Sequence, residues 1–541
     1  MVWKTSSRFR ILFFLLLFGL LSLLLGLVLT SSGLATWDSA PHFLRSRWLL
    51  SKWGLITEGN IGDQLKWYGP LWETVLAIFS LKVFAFLQDP IWVRTSITFA
   101  VYPLSLLLTF YLLIKVGVGR ATAFLCVSLI FGIIRLAGQA LINPIDFPFA
   151  CSYWLVTLGI WTLFQNGCKK SPNKFPYPYL FYISLLSVIP YLIRPPMLLH
   201  FALVPVLFFM YTRFVLKPGS RTAGWKLVPW SLFFGLAVIW ISWPSIWEMG
   251  WRGWLSWIHT FHGLARFPWQ GTVTLFGITY QAGHLPLWYP FAWPMINTEP
   301  VAFLVMLIGL LCLLFFRGLP YASVEFSFLG KIRTFSLQNW ILLVTALSWA
   351  GIMLGHPVIY DEDRHLLFLF PLLMLLAAFG LDFLPSWPKY VVSTLIIASS
   401  TYSYLQWGKY SYVYKSPFIS NRHVNQFMGD YWGVCLSDAT TALRNLALPG
   451  SEVWVWGPLS VVEFQAERLM KSRAYLRHDF GPFQFVSERP TSRSYFIISY
   501  NRDGLLGRVQ ELVQLGKVRV VWKTLMPPGD PACLVAETID H

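Results

Sequence analysis

The sequence predicts a polytopic α-helical membrane protein that carries a small C-terminal α/β domain. Hydrophobic residues make up 56% of the chain and charged residues only 12%, whereas soluble domains carry about 25% charged residues. The apolar residues collect into continuous runs of about twenty, the length at which a helix spans a bilayer. A transmembrane barrel would instead show alternating polar and apolar residues. The composition therefore favours a bundle of membrane helices.

The first apolar run is ILFFLLLFGLLSLLLGLVLT at 11–30, and basic residues precede it, as they do in a secretory signal peptide. Its apolar core is longer than the roughly 7–15 residues of a signal peptide, and no convincing small-residue cleavage site follows. We therefore expect a first helix that is retained.

The lysines and arginines set the expected orientation, because cytoplasmic loops are enriched in these residues. This bias places the N-terminus in the cytoplasm and accounts for most of the net charge of +17 without invoking nucleic acid. About eleven spans of about twenty residues are predicted. They are 11–30, 95–114, 121–139, 147–165, 178–193, 197–216, 227–243, 301–316, 339–355, 365–384 and 389–406.

One apolar stretch, LWETVLAIFSLKVFAFLQ at 71–88, is left out of the spans, because counting it would place the later lysine clusters outside. It also carries Glu73 and Lys82. We predict an interfacial helix on the outer membrane face. An ordinary span is the alternative, since hydropathy alone does not separate the two.

With this topology, polar segments of several loops fall on the outer face of the cytoplasmic membrane: 31–94, 142–148, 192–196, 244–300 and 355–365.

A transmembrane domain is predicted at 1–406 and an extracytoplasmic α/β domain at 407–541, where hydropathy falls. In the second domain SEVWVWG, SRAYLRH, RSYFIISY and KVRVVWKT are strand-like, while SDATTALRNLAL and LLGRVQELVQL are helix-like. Cys435 and Cys533 both lie there and could form a disulfide if that compartment is oxidising.

Two acidic residues stand at helix starts on the predicted outer face. Asp38, in TWDSAPHFL, follows the first span, where a partly desolvated carboxylate can act as a general base. His42 would share its helix face. Asp146, in INPIDFPFA, begins a later span. Capping of the helix N-terminus is the alternative role for both carboxylates, and the sequence leaves it open.

Two further segments carry candidate binding residues. Lys66 and Tyr68, in QLKWYGPLWE, directly precede a Gly-Pro turn that starts the interfacial helix. The densest cluster is HPVIYDEDRHLLFLFP, which contains Asp361, Arg364 and His365.

Arg364 and His365 are expected at the N-terminal end of the tenth span, where backbone N–H groups favour an anion. Arginine suits bidentate phosphate binding, so we expect a lipid-borne phosphate at this point. Arg194, in LIRPP, would supply a second positive charge or extend to the membrane surface. The alternative for the cluster is a surface loop with internal salt bridges. No CxxC or His/Cys spacing indicates a structural zinc site.

The order of these motifs resembles that of GT-C glycosyltransferases, which include protein O-mannosyltransferases and the lipid A aminoarabinose transferase. The shared features are an acidic motif after the first helix, a turn of the [HY]-x-P-L type, a second acidic residue at an outer helix end and a late arginine-containing loop. The segments YGPL, NPIDFPFA, GHLPLWYPFAWPMINTEP, YDEDRHLLFLFP and GDYWGVCLSDA are similar to motifs of a little-characterised bacterial branch. The resemblance covers most of the chain.

The resemblance implies transfer of a sugar from a polyprenyl-phosphate donor to a lipid, glycan or protein acceptor, with inversion, and it indicates no metal or other cofactor. Asp38 would be the base, Asp146 the second acidic residue, and Arg364 with His365 the donor-phosphate site. His42, Lys66, Tyr68, Arg194 and Asp361 would be further substrate-binding residues.

The sequence departs from the family pattern at Ser39, where many relatives carry a glutamate that completes a D-E pair. This departure puts in doubt any role that needs two adjacent carboxylates, such as metal binding. It does not remove the base, but it keeps open the alternative of a non-catalytic lipid-linked sugar carrier, flippase or scaffold derived from the same fold. A solute transporter would need polar residues at mid-membrane depth, whereas these ionisable residues lie mainly at outer helix ends.

Overall fold

A computed structural model gives the fold. The described residues are 36, 38–56, 68–87, 89–170, 175–194, 198–216, 224–256, 271–315, 324–328, 331–419, 427–447, 451–457, 462–463, 484–488, 490, 495–500, 505–527 and 529–539. The first predicted span at 11–30, Lys66 and the strand-like SRAYLRH lie outside them.

Most of the described chain is helical. The helices before residue 250 are α1 (Ser39–Lys52), α2 (Pro70–Ile78), α3 (Pro90–Lys115), α4 (Arg120–Phe131), α5 (Ile134–Ala140), α6 (Asp146–Lys170), α7 (Tyr177–Ile193), α8 (Leu199–Met210), α9 (Leu227–Ser242) and α10 (Pro244–Glu248). Those after it are α11 (Tyr289–Asn297), α12 (Pro300–Phe315), α13 (Leu337–Gly355), α14 (Phe370–Gly380), α15 (Ser386–Trp407), α16 (Leu436–Leu446) and α17 (Leu505–Gln514).

Helices occupy the positions of the predicted spans that fall within the described residues. Three of them, α3, α6 and α13, are long and apolar enough to cross a membrane. Six others are apolar but shorter: α4, α7, α8 with the π-helical turn that follows it, α9, α12 and α14. The number of eleven crossings stays a prediction.

The predicted continuous span at 121–139 is interrupted. Helix α4 ends at Phe131, and Ile133 forms an antiparallel β-bridge with Thr298 before α5 begins. The backbone N–H of Glu299 donates to the carbonyl of Gly132 at 2.9 Å. The carbonyl of Gly132 is thereby paired outside the helix, and the helical hydrogen bonding is interrupted just before Arg135.

The strands form two hairpins and one larger sheet. Strands β1 (Thr272–Leu275) and β2 (Ile278–Gln281) pair with each other, as do β3 (Val324–Phe328) and β4 (Lys331–Phe335). The larger sheet contains β5 (Glu452–Trp456), β6 (Gln484–Val486), β7 (Phe496–Tyr500), β8 (Val518–Met526) and β9 (Asp530–Thr538) in the order β6-β5-β7-β9-β8.

Within that sheet β5 pairs parallel with β6 and β7, whereas β9 pairs antiparallel with β7 and β8. Strands β5, β7 and β8 and helices α16 and α17 match segments that the sequence predicts, whereas β6 and β9 do not. Cys435, beside the start of α16, forms a disulfide with Cys533 of β9, with the Cα atoms 5.6 Å apart. The division into domains at residue 406 stays a prediction.

Candidate active site

Asp38 immediately precedes α1 and is one of the residues expected to be functional. Within the described part of the chain its side chain makes no capping hydrogen bond to the helix. The carboxylate is about one-third exposed and lies 3.6 Å from Nη1 of Arg364, measured from Oδ2. The neighbouring Ser39 is occupied locally, because its hydroxyl oxygen accepts the N–H of Thr36 at 2.9 Å. The geometry therefore favours a role of Asp38 outside helix capping.

Asp146 begins α6, but the residue that binds the free N–H groups there is Asn143. The Oδ1 of Asn143 accepts the backbone N–H groups of Ile145 and Asp146 at 3.1 and 2.9 Å. Its Nδ2 donates to Oδ2 of Asp146 at 3.2 Å. The buried Asp146 carboxylate forms an ion pair with Arg194 and lies 3.8 Å from Nε of Arg364. The capping role is thus carried by Asn143, which leaves the Asp146 carboxylate facing two guanidinium groups.

Arg364 is the centre of this arrangement, and only 6% of its side chain is exposed. Besides Asp38 and Asp146 it pairs with Asp361, whose Oδ2 lies 3.2 Å from Nη2. Burial alone would lower the pKa of Arg364, but the nearby Asp361 and Asp38 carboxylates raise it above its ordinary value. The guanidinium therefore keeps its charge although it is buried.

Aromatic rings contact Arg364 as well. Its Cζ lies 4.6 Å from the ring centroid of Tyr360 and 4.9 Å from that of Trp432. Cation–π contacts of this length stabilise a desolvated guanidinium. The sequence gives no specific role to either residue, although Trp432 belongs to the quoted GDYWG segment and Tyr360 to YDEDRH.

Arg194 follows α7 and is brought to Asp146 by close packing with the YGPL turn. A Cβ atom on Gly69 would overlap the backbone of Leu192 and Ile193, so only glycine allows this approach. Burial lowers the pKa of Arg194. Tyr68 lies in the same turn, and burial raises the pKa of its phenol to about 12. Tyr68 is therefore a neutral hydrogen-bonding group at pH 7.

His42 belongs to a different buried cluster. Its Nδ1 lies 3.5 Å from Oε1 of Glu73, and its ring contacts Tyr68 edge-on with 5.9 Å between centroids. Burial lowers the pKa of His42 in spite of the Glu73 carboxylate, so the contact is one between a neutral imidazole and a carboxylate. Glu73 is bound to Arg94 of α3 at 2.8 Å. The structure thus places His42 where it joins α1 to α2 and α3.

The expectation that Arg364 and His365 stand at the N-terminal end of the tenth span is wrong. Residues Arg364–Leu366 form a separate 3-10 turn, and α14 begins only at Phe370. Arg364 and His365 therefore lie outside the first turn of α14, and the expected help from its N-terminal N–H groups does not apply to them. His365 packs edge-on against Tyr360, with 4.6 Å between ring centroids.

A hydrogen-bonded chain links the GDYWG segment to Asp146. The hydroxyl of Tyr431 accepts from Nε2 of Gln139 at 2.8 Å, and Oε1 of Gln139 accepts from Nδ2 of Asn143 at 2.8 Å. Asn143 in turn binds Asp146. Tyr431 is therefore linked to Asp146, while the next residue, Trp432, contacts Arg364.

One group of potential metal ligands occurs among the described residues: Asp430, Cys435 and Cys533. The two cysteines form the disulfide. The Asp430 carboxylate accepts the backbone N–H groups of Val434 and Cys435 at 2.9 and 2.7 Å and also binds the Tyr412 hydroxyl. These three side chains are thus occupied in holding the turn before α16.

Comparison with known proteins gives matches only at the level of structure. No family model and no curated protein matches the chain. The solved structures that match include ArnT from Cupriavidus metallidurans in the apo state, with 12% identity, a TM-score of 0.49 and coverage of 98% of both chains. ArnT from the same organism bound to undecaprenyl phosphate also matches, with 12% identity, a TM-score of 0.46 and coverage of 97% of this chain and 98% of that chain.

A third match is the archaeal oligosaccharyltransferase AglB from Archaeoglobus fulgidus, in complex with an inhibitory peptide and a dolichol-phosphate. It has 11% identity, a TM-score of 0.38 and coverage of 82% of this chain and 63% of that chain. ArnT and AglB are GT-C glycosyltransferases, the group that the sequence motifs resemble. The similarity concerns the fold alone, and no residue role is taken from these proteins.

Proposed function

We propose that this chain is a membrane glycosyltransferase that moves a sugar from a polyprenyl-phosphate donor to an acceptor on the extracytoplasmic face. The observation that carries the proposal is the convergence on Arg364. Its guanidinium lies within 3.2 to 3.8 Å of carboxylate oxygens of Asp361, Asp38 and Asp146, which come from three separate parts of the chain. A buried cation beside a carboxylate that is about one-third exposed supplies both groups that transfer from a sugar phosphate needs.

Arg364 is proposed to bind the donor phosphate, with Arg194 as a second cation. A guanidinium can bind two phosphate oxygens at once, and the rings of Tyr360 and Trp432 fix its position. The carboxylates of Asp361, Asp38 and Asp146 lie beside Arg364. A phosphate would replace part of these contacts, which is the expected behaviour of a buried anion site.

Asp38 is proposed to act as the base. In the transfer step the acceptor oxygen forms a bond to the anomeric carbon of the sugar, and its proton passes to the Asp38 carboxylate. The bond between the anomeric carbon and the phosphate oxygen breaks, and polyprenyl phosphate leaves with its negative charge next to Arg364. Attack opposite the leaving group inverts the anomeric carbon. Asp146 is proposed to hold Arg194 and Arg364 in place for the departing phosphate.

The proposed setting is the cytoplasmic membrane, crossed about eleven times, with the N-terminus inside and a C-terminal domain at 407–541 outside. The apolar helices support a membrane location. The Cys435–Cys533 disulfide supports the outer placement, because disulfides persist in oxidising compartments. The proposed acceptor is a lipid, a glycan or a protein; the loop at 244–300 would cover the site.

The test uses purified protein in proteoliposomes with radiolabelled undecaprenyl-phosphate sugars and a mixed acceptor fraction of membrane lipids and glycans. Asp38→Asn and Arg364→Ala should each lower transfer at least about 100-fold, while folding is retained. Asp38→Asn should keep donor binding and Arg364→Ala should lose it. The matched control is Arg519→Ala, because Arg519 pairs with Glu537 on an exposed sheet surface. Unchanged turnover in both site variants would exclude the assignment.

A carrier or flippase is the second candidate, and Ser39 is the residue that favours it. The Ser39 hydroxyl is bonded to Thr36 and supplies no second carboxylate beside Asp38. This candidate predicts that the labelled head group crosses the liposome membrane without forming a product. The same preparation, assayed for head-group accessibility and for product, distinguishes the two functions.

A further inference from the structure

Arg135 is a fully buried cation that the proposed reaction does not use. It lies in the first turn of α5, directly after the interruption at Gly132–Ile133. Its Nη1 pairs with Glu362 and lies 2.9 Å from Oδ1 of Asp363, and its Nε donates to the carbonyl of Tyr414 at 2.7 Å. One guanidinium therefore connects α5 to the 361–364 segment and to the chain after α15.

The two carboxylates bound to Arg135 stand between two site residues. Glu362 and Asp363 pair with Arg135, whereas the flanking Asp361 and Arg364 pair with each other and approach Asp38 and Asp146. The four consecutive side chains therefore have two sets of partners. The inner pair, Glu362 and Asp363, binds Arg135, and the outer pair, Asp361 and Arg364, belongs to the candidate active site.

The backbone of this segment is in a conformation that side chains disfavour. Asp361 has φ = 54° and Glu362 has φ = 64°, both in the left-handed region. Two successive non-glycine residues there persist only when surrounding contacts hold them. The Arg135 pairs are such contacts, since they fix the side chain of Glu362 and of the next residue, Asp363.

Side chains of α11 also bind Glu362, Asp363 and Arg135. The amide of Asn297 donates to Oδ2 of Asp363 at 2.7 Å, and the hydroxyl of Tyr289 donates to the carbonyl of Glu362 at 3.0 Å. The Arg135 Cζ lies 4.8 Å from the ring centroid of Trp293. Tyr289, Trp293 and Asn297 all belong to α11, so this helix and Arg135 enclose the inner pair of the segment.

We infer that Arg135 is a positioning residue, which holds the 361–364 segment in the conformation that presents Arg364 and Asp361 to Asp38 and Asp146. The inference rests on the proposed function in one respect, namely that Arg364 binds the donor phosphate. Arg135 itself does not touch the substrate; its effect is transmitted through Glu362 and Asp363. Loss of Arg135 would free the backbone at Asp361 and Glu362 and misplace the Arg364 guanidinium.

The experiment uses the full chain in lipid nanodiscs and two readouts: hydrogen exchange of peptides that cover 359–366, and the dissociation constant for undecaprenyl phosphate. Arg135→Gln is the direct variant, but it leaves two buried carboxylates without their cation. A second variant, Arg135→Met with Glu362→Gln and Asp363→Asn, removes all three charges together and is expected to fold better. Arg135→Lys tests whether charge alone is enough.

Lys389→Met is the matched control. Lys389 is also a buried cation, but it pairs with Asp382 at 3.1 Å and with Thr122 at 2.9 Å, and not with the 361–364 segment. The Lys389→Met variant should have a lower thermal stability but unchanged hydrogen exchange at 359–366 and an unchanged dissociation constant.

The Arg135→Gln and triple variants should exchange at least tenfold faster in 359–366 and bind undecaprenyl phosphate at least tenfold more weakly in their folded fraction. Arg135→Lys should fall between them and the wild type.

A folded triple variant with wild-type protection at 359–366 and wild-type affinity would overturn the role of Arg135. Equal effects of Lys389→Met on both readouts would also overturn it, since the effect would then be one of general stability. Failure of the wild-type protein to bind undecaprenyl phosphate would instead count against the proposed function. In that case exchange at 359–366 alone decides whether Arg135 holds the segment.

Discussion

The guanidinium carbon of Arg364 lies 4.9 Å from the ring centroid of Trp432. Trp432 comes after residue 406, where the predicted transmembrane domain ends, so a residue from the C-terminal part of the chain forms one wall of the candidate site. The two residues before Trp432 fix its backbone: Tyr431 binds Gln139 of α5, and Asp430 binds the backbone N–H groups just before α16. The C-terminal part is therefore expected to contribute to donor binding.

The first prediction concerns this contact. Trp432→Ala should weaken binding of undecaprenyl phosphate about tenfold, because a desolvated cation–π contact contributes about 1 to 2 kcal/mol. Trp432→Phe should retain most of the affinity. Equilibrium binding in nanodiscs measures both. Trp251→Ala is the control, since Trp251 is 69% exposed and contacts Arg252 at 5.9 Å. Equal affinity of Trp432→Ala and the wild type would exclude a role of the ring in donor binding.

The helical class and the helix positions could be predicted because runs of apolar residues about twenty long have few other uses. The grouping of Asp38, Asp146 and Arg364 could be predicted in outline, because charge bias places their loops on one side of the membrane. For Asp38 the choice between capping and a role in the site depended on Arg364, which is distant in sequence. For Asp146 it was decided by Asn143, whose amide makes the capping bonds.

Other features depend on contacts that no local pattern encodes. The break between α4 and α5 arises from pairing with residues 298 and 299, although the sequence at 121–139 is continuous in hydropathy. Arg135 lies inside that predicted span, and its partners Glu362 and Asp363 are more than 200 residues away in sequence and are brought to it only by the fold. The sequence does not predict strand β9, because its central residues, PACLVAE, do not alternate as those of a half-buried strand would.

The second prediction concerns the buried cluster that joins α1, α2 and α3. Arg94 binds Oε2 of Glu73 at 2.8 Å and also binds Ser46, and the Arg94 and Glu73 side chains are no more than 4% exposed. Arg94→Met should lower the free energy of unfolding by about 3 to 5 kcal/mol, because it leaves a buried carboxylate without its cation. Denaturant unfolding in detergent measures the change.

The control for Arg94→Met is Lys52→Ala. Lys52 pairs with Glu248 at 2.6 Å, but both side chains are about one-third exposed. Surface pairs of this kind contribute about 1 kcal/mol or less. A loss in Lys52→Ala as large as that in Arg94→Met would contradict the assignment of the cluster as the main link between these helices.

The third prediction is that the free energy of unfolding depends on pH through the protonation of His42. Burial lowers the pKa of His42 below its ordinary value of 6.5, so near that pH the unfolded chain binds more protons than the folded one. The free energy of unfolding should therefore fall as the pH drops below about 6.5 towards the folded-state pKa. Thermal unfolding between about pH 5 and 8 should show a weaker dependence in His42→Gln than in the wild type.

Acidification also removes the stabilisation that Glu73 contributes, because the Arg94 guanidinium outweighs burial and lowers the pKa of this carboxyl below its ordinary value of 4.5. Its contribution lies at lower pH and so is separable from that of His42. His284→Gln is the control, since His284 is an exposed histidine. An identical pH dependence of His42→Gln and the wild type would show that His42 is not buried as a neutral group.

The fourth prediction concerns the disulfide between Cys435 and Cys533, which closes a loop with a sequence separation of 98. Replacing both cysteines by serine should lower the free energy of unfolding by about 2 to 5 kcal/mol, as expected for a cross-link over a long loop. The change should also weaken undecaprenyl phosphate binding, because Cys435 and Asp430 hold the turn that carries Trp432. Cys312→Ser, which removes a free cysteine, should change neither property.

Protein purified from cells without reductant should resist alkylation at Cys435 and Cys533, because an extracytoplasmic location would oxidise them. Full alkylation of both in the unreduced protein would contradict the disulfide and, with it, the placement of the C-terminal part of the chain outside the cytoplasm.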